Sequence, residues 1–227
     1  MISAVLNSSS QDGIENKLTE AEIKAGWKLL FDGKTMNGWR TFKNKSGNSW
    51  EVKNNELHCK GSETDKSDLR ADIITSAQYE NFEFSADWKI AKAGNSGIMY
   101  HVTEEYAAAY LSGPEYQLID DDGFPEKLED WQKTGADYAM YNVTSRPTKP
   151  VGEYNNSKII FNKGHVEHWL NGVKVIEFEA WSDDWYKRKA SGKWKDVKQY
   201  GMSKTGYICL QDHGSEIWFK NIKIKPL

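Results

Sequence analysis

Cysteine, proline and long apolar runs are all scarce in this sequence. Only 2 of its 227 residues are cysteines and 5 are prolines, so the chain is not a small scaffold held together by disulfides. No run of about 18 apolar residues occurs, which excludes a transmembrane helix. A charge excess is missing too, since 30 basic residues stand against 33 acidic ones. That balance excludes a protein whose task is to neutralise nucleic-acid phosphates.

The two cysteines bear on disulfide pairing, and the N-terminal segment bears on where the folded domain begins. Cys59 and Cys209 have no C-x-x-C spacing, so their pairing stays open and buried free thiols are the simpler expectation. The N-terminus has no basic segment followed by an apolar core, and its polar composition predicts a disordered lead-in over residues 1–18. We expect a single domain over residues 19–227, because no repeat or linker is apparent.

Aromatic residues are abundant. The chain contains 10 Trp, 11 Tyr and 8 Phe, or 13% of its length, which excludes a disordered protein. An aromatic-rich, charge-balanced chain favours a sheet protein whose ligand is neutral and flat-faced, and a sugar fits that description.

Local patterns predict mostly strands. Thr19 and Glu22 form a capping box for a short N-terminal helix. Residues 82–90 alternate apolar and polar side chains, as a half-buried strand does. Residues 180–200 lack this alternation and carry three tryptophans, so we expect a helix-and-loop excursion over one face of the sheets. The sequence therefore predicts an all-β sandwich with two short helical additions.

One hairpin is specified in detail. Asn171-Gly172 between two β-rich runs predicts a two-residue type I′ turn. That turn places Leu170 opposite Val173 and His168 opposite Val175.

No common catalytic motif is present. The sequence lacks a nucleophile elbow, a phosphate-binding loop, a dinucleotide fingerprint and a zinc-protease helix. Asp120, Asp121 and Asp122 precede Gly123 without the spacing of a calcium loop, so a solvated turn is the expectation there.

Two strands each present one polar face. Glu115 and Gln117 alternate with apolar residues in one segment, and Gln211 and His213 follow apolar residues in another. For one strand alone, a solvated face is the simpler interpretation. Two such strands, with His168 on an otherwise aliphatic hairpin face, favour a ligand cleft, because buried polar groups need partners.

Six short motifs occur in order along the chain, at residues 31–39, 95–98, 114–118, 152–155, 168–172 and 210–214. Together they resemble the 3-keto-disaccharide hydrolase domain family from about Gly26 to Leu227. The chain departs from the family pattern at His101, where many relatives have Arg, and at Tyr154, where they have Trp.

The resemblance implies a fold, an activity and a location. The fold would be a concanavalin A-like jelly-roll β-sandwich with a concave sugar-binding face. The activity would be cleavage of glycosides whose sugar is oxidised at C3, by hydrolysis or by elimination followed by hydration. Members mostly belong to exported bacterial glycan-degrading systems, so a periplasmic or otherwise exported protein is expected.

This chemistry assigns candidate roles to residues. Glu115 and His168 are the candidate catalytic acid and base. No cofactor is required, although a divalent cation held by Glu115 and a histidine would also serve as an electrophile. Tyr154 and Trp169 join Tyr100 and Trp185 as candidate stacking rings. The candidate substrate-binding residues are Asn95, Tyr100, His101, Gln117, Lys149, Glu153, Trp185, Gln211, Asp212 and His213.

Three alternatives remain open at this point. The first is an ordinary glycoside hydrolase in which Glu115 pairs with Glu153 or Asp212. The second is a noncatalytic carbohydrate-binding module, and the third is a protein-interaction sandwich with a flat apolar patch. Convergence of Glu115, His168 and His213 on one cleft would favour catalysis.

Overall fold

Two antiparallel sheets share one core in the computed structural model, which describes residues 15–62 and 69–227. This confirms the predicted all-β sandwich. The larger sheet has the order β11-β10-β9-β6-β13-β4-β3, with β1 beside β13, and the smaller has the order β2-β5-β12-β7-β8. The strands are β1 Lys28–Leu29, β2 Trp39–Thr41, β3 Trp50–Lys53, β4 Glu56–Cys59, β5 Ile73–Tyr79, β6 Phe82–Ile90, β7 Asn95–Val102, β8 Glu115–Ile119, β9 Asn155–Asn162, β10 His165–Leu170, β11 Val173–Glu179, β12 Gly206–Leu210 and β13 Ile217–Pro226.

Alternation along the strands builds the core. In β6, Phe82, Phe84 and Trp88 are fully or almost fully buried, as the period-2 pattern predicts. In β13, Ile222 and Ile224 turn into the same core. The polar residues between them remain partly exposed on the outer face of the larger sheet.

The β10–β11 hairpin confirms the predicted turn and corrects one register. Asn171 and Gly172 have φ values of 49° and 81°, and Leu170 faces Val173. A bulge between His168 and Trp169 then shifts the pairing by one residue, so His168 faces Ile176 and not Val175. Alternation alone does not reveal an inserted residue.

Two α-helices in the described part of the chain lie outside the sheets. Helix α1, Glu20–Lys24, has the capping box predicted for Thr19 and Glu22. Helix α2, Asp183–Ser191, begins at the N-cap Ser182 and confirms the predicted excursion. Single 3₁₀ turns occur at Phe42–Asn44, Ala109–Leu111 and Asp130–Gln132. Among the described residues, no helix is both long and apolar enough to cross a membrane.

The N-terminal segment is attached to the sandwich from residue 15. Asn16 is 4% exposed and forms two hydrogen bonds with Asn221. Asn16 N donates to Asn221 Oδ1 at 2.7 Å, and Asn221 N donates to Asn16 Oδ1 at 2.8 Å. Residues 15–18 therefore do not belong to a disordered lead-in, because β13 supplies their partners. The rest of that predicted segment, residues 1–14, lies outside the described residues.

Both cysteines are buried free thiols, as expected. Cys59 lies in β4 of the larger sheet and Cys209 in β12 of the smaller one, and neither is exposed. Cys209 belongs to a small apolar cluster with Ile74 and Met99, on the side of the smaller sheet that faces away from the main core. The same cluster also contains Phe42, Val102 and Ala109.

Candidate active site

The floor of the candidate site is the outer face of β8. Tyr116 and Leu118 belong to the main core, so Glu115 and Gln117 point the opposite way, as the sequence predicts. Gly97, in the neighbouring strand β7, makes room for the carboxyl group. A Cβ atom at this glycine would lie 2.1 Å from Glu115 Oε1, so a larger residue there would displace the carboxyl.

A cavity of about 330 Å³ opens above this floor. Its volume is at the lower end of the range of small-molecule sites, at roughly 300–1,000 Å³. Three side-chain amides, one carboxyl, one imidazole and one ammonium group meet there with three aromatic rings. The lining residues are Asn95, Tyr110, Glu115, Gln117, Tyr138, Lys193, Trp194, Gln211 and His213.

One wall comes from the segment that follows α2. Trp194 stacks on the buried ring of Tyr200 at 4.0 Å, and its indole nitrogen donates to Tyr138 O at 3.1 Å. The Lys193 ammonium lies 4.3 Å from the centre of the Tyr138 ring. These contacts fix an aromatic wall and place a cation at the mouth of the cavity.

Burial dominates the electrostatics of Glu115. Loss of solvation raises the pKa of this carboxyl to about 8, and the Lys193 charge offsets only part of that effect. With its side-chain amide oriented to satisfy its neighbours, Gln117 donates to Glu115 Oε1 at 3.3 Å and to Ser96 O at 3.1 Å. Glu115 is therefore a positioned carboxyl that holds its proton near neutral pH.

We expect Glu115→Gln to stabilise the protein more at pH 8 than at pH 5. The folded-state pKa of Glu115 is near 8 and the unfolded value is near 4.5, so the native carboxyl lowers the free energy of unfolding progressively across that interval. Glutamine does not ionise and avoids this loss. Thermal unfolding of both proteins at the two pH values measures the difference, and an equal shift in Tm at both would contradict the assignment.

The opposite side of the cavity is the chain that leaves β12. Gln211 N donates to Gly97 O at 2.9 Å and Ser96 Oγ donates to Gln211 O at 2.8 Å, which places this residue beside the floor. His213 follows at the exposed rim.

Asp212, between Gln211 and His213 in the sequence, is a structural residue and not the substrate contact that was predicted. Its side chain is 0% exposed and forms an ion pair with Arg70, whose Nε donates at 3.0 Å. It also accepts from Ala71 N at 3.2 Å and Gly214 N at 3.1 Å. Asp212 thus fixes the turn that presents His213.

The structure also corrects His168 and Tyr100, which lie in the core between the sheets. Both are 0% exposed, and the Tyr100 hydroxyl lies 3.4 Å from His168 Nε2. His168 Nδ1 donates to Gly135 O at 2.9 Å, and burial lowers the pKa of the imidazole to about 4. A neutral, sealed histidine does not reach a ligand in the cavity.

His101 and Trp185 are likewise packing residues. His101 is 2% exposed, donates to Glu80 O at 2.8 Å and packs on Phe161 with ring centres 4.3 Å apart. Trp185 is a buried residue of α2 and is 1% exposed. Neither presents a ring face to the cavity.

Lys149 and Glu153 line a different cavity, beside the Asp120–Asp122 turn. The side-chain carboxylate of Asp120 accepts hydrogen bonds from two backbone groups, Ala93 N and Gly123 N. Two other predicted stacking rings, Tyr154 and Trp169, are attached to the larger sheet. Lys220 Nζ lies 4.0 Å from the centre of the Tyr154 ring, and Lys158 Nζ lies 4.3 Å from the centre of the Trp169 ring.

Five predicted residues line the cavity, and four others there had no predicted role. Asn95, Glu115, Gln117, Gln211 and His213 converge, and their roles toward a substrate stay predictions. The four unpredicted residues come from loops and from the 3₁₀ turn Ala109–Leu111, where alternation of polar and apolar residues gives no signal. The tryptophan-rich segment 180–200 was a usable indication for two of them. The four are Tyr110, Tyr138, Lys193 and Trp194.

The structure is a β-sandwich with a polar cavity on its smaller sheet, and sequence comparison gives the family. Residues 26–225 match the model of the 3-keto-alpha-glucoside-1,2-lyase-like domain, so the chain belongs to that family. A 3-keto-disaccharide hydrolase of Bacteroides thetaiotaomicron is 32% identical over 252 aligned positions, which cover 99% of this chain and 87% of the relative.

Solved structures agree with this placement. A candidate glycosyl hydrolase from Parabacteroides distasonis superposes with a TM-score of 0.86 at 46% identity, covering 94% of this chain and 99% of that one. A carbohydrate-binding module of Bacillus subtilis shares the fold, with a TM-score of 0.52 at 14% identity, covering 83% and 95% of the two chains. The concanavalin A-like jelly roll expected from the sequence is therefore the observed fold.

Proposed function

We propose that this cavity cleaves the glycosidic bond of sugars oxidised at C3, with Glu115 as the catalytic acid and His213 as the base. The observation that carries the proposal is the composition of the lining: one buried carboxyl, one imidazole at the rim and one ammonium group, among amides. The relative named as a 3-keto-disaccharide hydrolase supports the same substrate class.

The chemistry of a 3-keto sugar suits such a set of groups. The ketone acidifies the proton on C2, so a base near neutral pH removes it and leaves an enolate. The enolate electrons form the C1–C2 double bond while the C1–O bond breaks. The departing oxygen takes a proton from an acid, and water then adds to the unsaturated ketone.

Each step has a group in the cavity. Burial keeps Glu115 protonated near neutral pH, which suits donation to the departing oxygen. His213 carries an imidazole, the usual base at this pH, on an accessible rim. Lys193 supplies a positive charge and the Asn95 amide supplies a donor for the developing enolate oxygen.

The lining does not fit an ordinary two-carboxylate glycosidase. That mechanism needs two carboxyl groups roughly 5–9 Å apart on either side of one bond. Among the described lining residues Glu115 is the single carboxyl, since Glu153 lies in another cavity and Asp212 is paired with Arg70.

The test is a comparison of 3-keto-glucosides with their unoxidised parents. We expect release of the aglycone or second sugar from the keto compounds alone, because only they have an acidic C2 proton. Equal turnover of the unoxidised parent glucosides, or turnover of these alone, would contradict the proposal. Binding of both compounds without cleavage of either would favour a carbohydrate-binding module instead.

A further inference from the structure

Gln211 has a buried amide oxygen without a hydrogen-bond partner among the described residues. The residue is 9% exposed and lines the candidate active-site cavity, and the unpaired atom is its side-chain oxygen, Oε1. Buried acceptors in proteins are paired as a rule, because an acceptor that has lost both water and a donor destabilises the fold. An unpaired acceptor in the wall of a cavity therefore indicates a donor that a bound ligand supplies.

The backbone around Gln211 is held by three hydrogen bonds that do not involve its side chain. Gln211 N donates to Gly97 O at 2.9 Å, and Gln211 O accepts from Ser96 Oγ at 2.8 Å. At the next residue, Asp212 N donates to Asp72 Oδ1 at 2.9 Å. The base of the Gln211 side chain is thus fixed in the floor of the cavity, while its amide oxygen stays available.

Gln211 is a neighbour of both the proposed acid and the proposed base. The carboxyl group of Glu115 lies over Gly97, where a Cβ atom would be 2.1 Å from Glu115 Oε1, and Gly97 is hydrogen-bonded to Gln211. His213 follows two residues later in the chain and lines the same cavity. Gln211 is therefore next to the group assigned to the C1 oxygen and the group assigned to C2.

The substrate has one hydrogen-bond donor on its three reacting carbons. The oxygen at C1 belongs to the glycosidic bond and the oxygen at C3 is a ketone, so both of them only accept. The hydroxyl at C2 is the single donor. Protonated Glu115, the Asn95 amide and the Lys193 ammonium group supply donors for the two accepting oxygens. The unpaired oxygen of Gln211 is the matching acceptor for the C2 hydroxyl.

We propose that Gln211 Oε1 accepts a hydrogen bond from the C2 hydroxyl of the substrate and thereby selects sugars that keep this hydroxyl. The inference rests on the proposed function, because the roles of Glu115 and His213 place the reacting carbons. An amide oxygen accepts this bond without removing the proton, so the hydroxyl stays on C2 while His213 takes the hydrogen from the same carbon. A sugar without the C2 hydroxyl leaves the buried acceptor unpaired and is rejected.

Steady-state kinetics on a 3-keto-glucoside and its 2-deoxy analogue test the inference. Both compounds have an acidic C2 proton, but removal of the hydroxyl also changes the reactivity of the sugar. The informative quantity is therefore the ratio of the two kcat/KM values, compared between the unmodified protein and Gln211→Met. We expect this preference for the hydroxyl to fall about 10–100-fold in Gln211→Met, because methionine has a similar size and no acceptor oxygen.

Two matched controls separate this role from a general loss of activity. The Gln117 amide already donates to Glu115 and to Ser96 O, so Gln117→Met should slow both substrates equally and leave the ratio unchanged. The preference for a 3-keto-glucoside over its 6-deoxy analogue should not respond to Gln211→Met, since C6 is remote from the reacting carbons. If Gln211→Met does not fold, Gln211→Asn replaces it, because asparagine withdraws the oxygen by one methylene.

The outcomes distinguish this inference from the proposed function. Cleavage of the 3-keto-glucoside with an unchanged 2-deoxy ratio in Gln211→Met overturns the inference alone. An equal change of that ratio in Gln117→Met, or an equal change with the 6-deoxy analogue, overturns it as well. If the unmodified protein cleaves no 3-keto compound, the proposed function is wrong and the inference falls with it.

Discussion

Glu115→Gln should lower kcat on a 3-keto-glucoside by about 10²–10⁴-fold, the range that a positioned general acid contributes. Glutamine keeps the size of the side chain and its contact with Gln117 but has no proton to give to the departing oxygen. The effect should be smallest for a substrate whose leaving group is a weak base, such as a nitrophenolate, because that group needs little protonation. Steady-state rates on both substrates measure the difference.

The matched control is Glu153→Gln. It makes the same change at a carboxyl that lines the other cavity, so kcat should stay within twofold of the unmodified protein. Comparable losses in both variants, or full activity in Glu115→Gln, would remove Glu115 from the mechanism.

Arg70→Met should destabilise the protein by about 3–5 kcal/mol in the free energy of unfolding. Asp212 is 0% exposed, and Arg70 is its only cationic partner among the described residues. Removal of the guanidinium leaves a buried carboxylate that keeps two backbone N–H donors but has no opposite charge beside it. Denaturant unfolding at neutral pH measures the loss.

The exposed pair Arg40–Glu104 is the comparison for this prediction. Its side chains are 28% and 25% exposed and share two hydrogen bonds, of 2.7 and 2.6 Å. Arg40→Met should cost about 1 kcal/mol or less, because both charges remain partly solvated. If the two variants lose equal stability, burial of Asp212 is not what makes Arg70 important.

Alternation along the strands was the most informative feature of the sequence. It assigned Glu115 and Gln117 to one face of β8 and the apolar residues to the other, and the structure agrees. The Asn171-Gly172 turn was equally readable, since few residue pairs accept two consecutive positive φ values. Both predictions depend on local geometry, which neighbouring residues in the sequence determine.

The wrong site predictions arose because the sequence does not show what packs against each face of a strand. His168 was correctly assigned to the face of Val166 and Leu170, but that face packs against the smaller sheet and seals the imidazole from solvent. Alternation says that two residues share a side, not whether a second sheet lies over it. The aliphatic neighbours were the better guide, because a histidine among them more often belongs to the core.

Loops supplied the rest of the site and were beyond such reasoning. Lys193 and Trp194 reach the cavity because α2 and the segment after it fold back over the smaller sheet. Their positions depend on tertiary contacts such as the stacking of Trp194 on Tyr200. Nothing in the local sequence fixes contacts of that kind.

Isotope exchange in D₂O tests the central claim most directly. The account separates two roles, with His213 removing the C2 proton and Glu115 protonating the departing oxygen. With a 3-keto-glucoside, Glu115→Gln should still exchange C2 hydrogen for deuterium faster than buffer alone while cleavage is lost. His213→Gln should lose both reactions. Cleavage by the unmodified protein without any deuterium at C2 of the product would contradict the elimination mechanism.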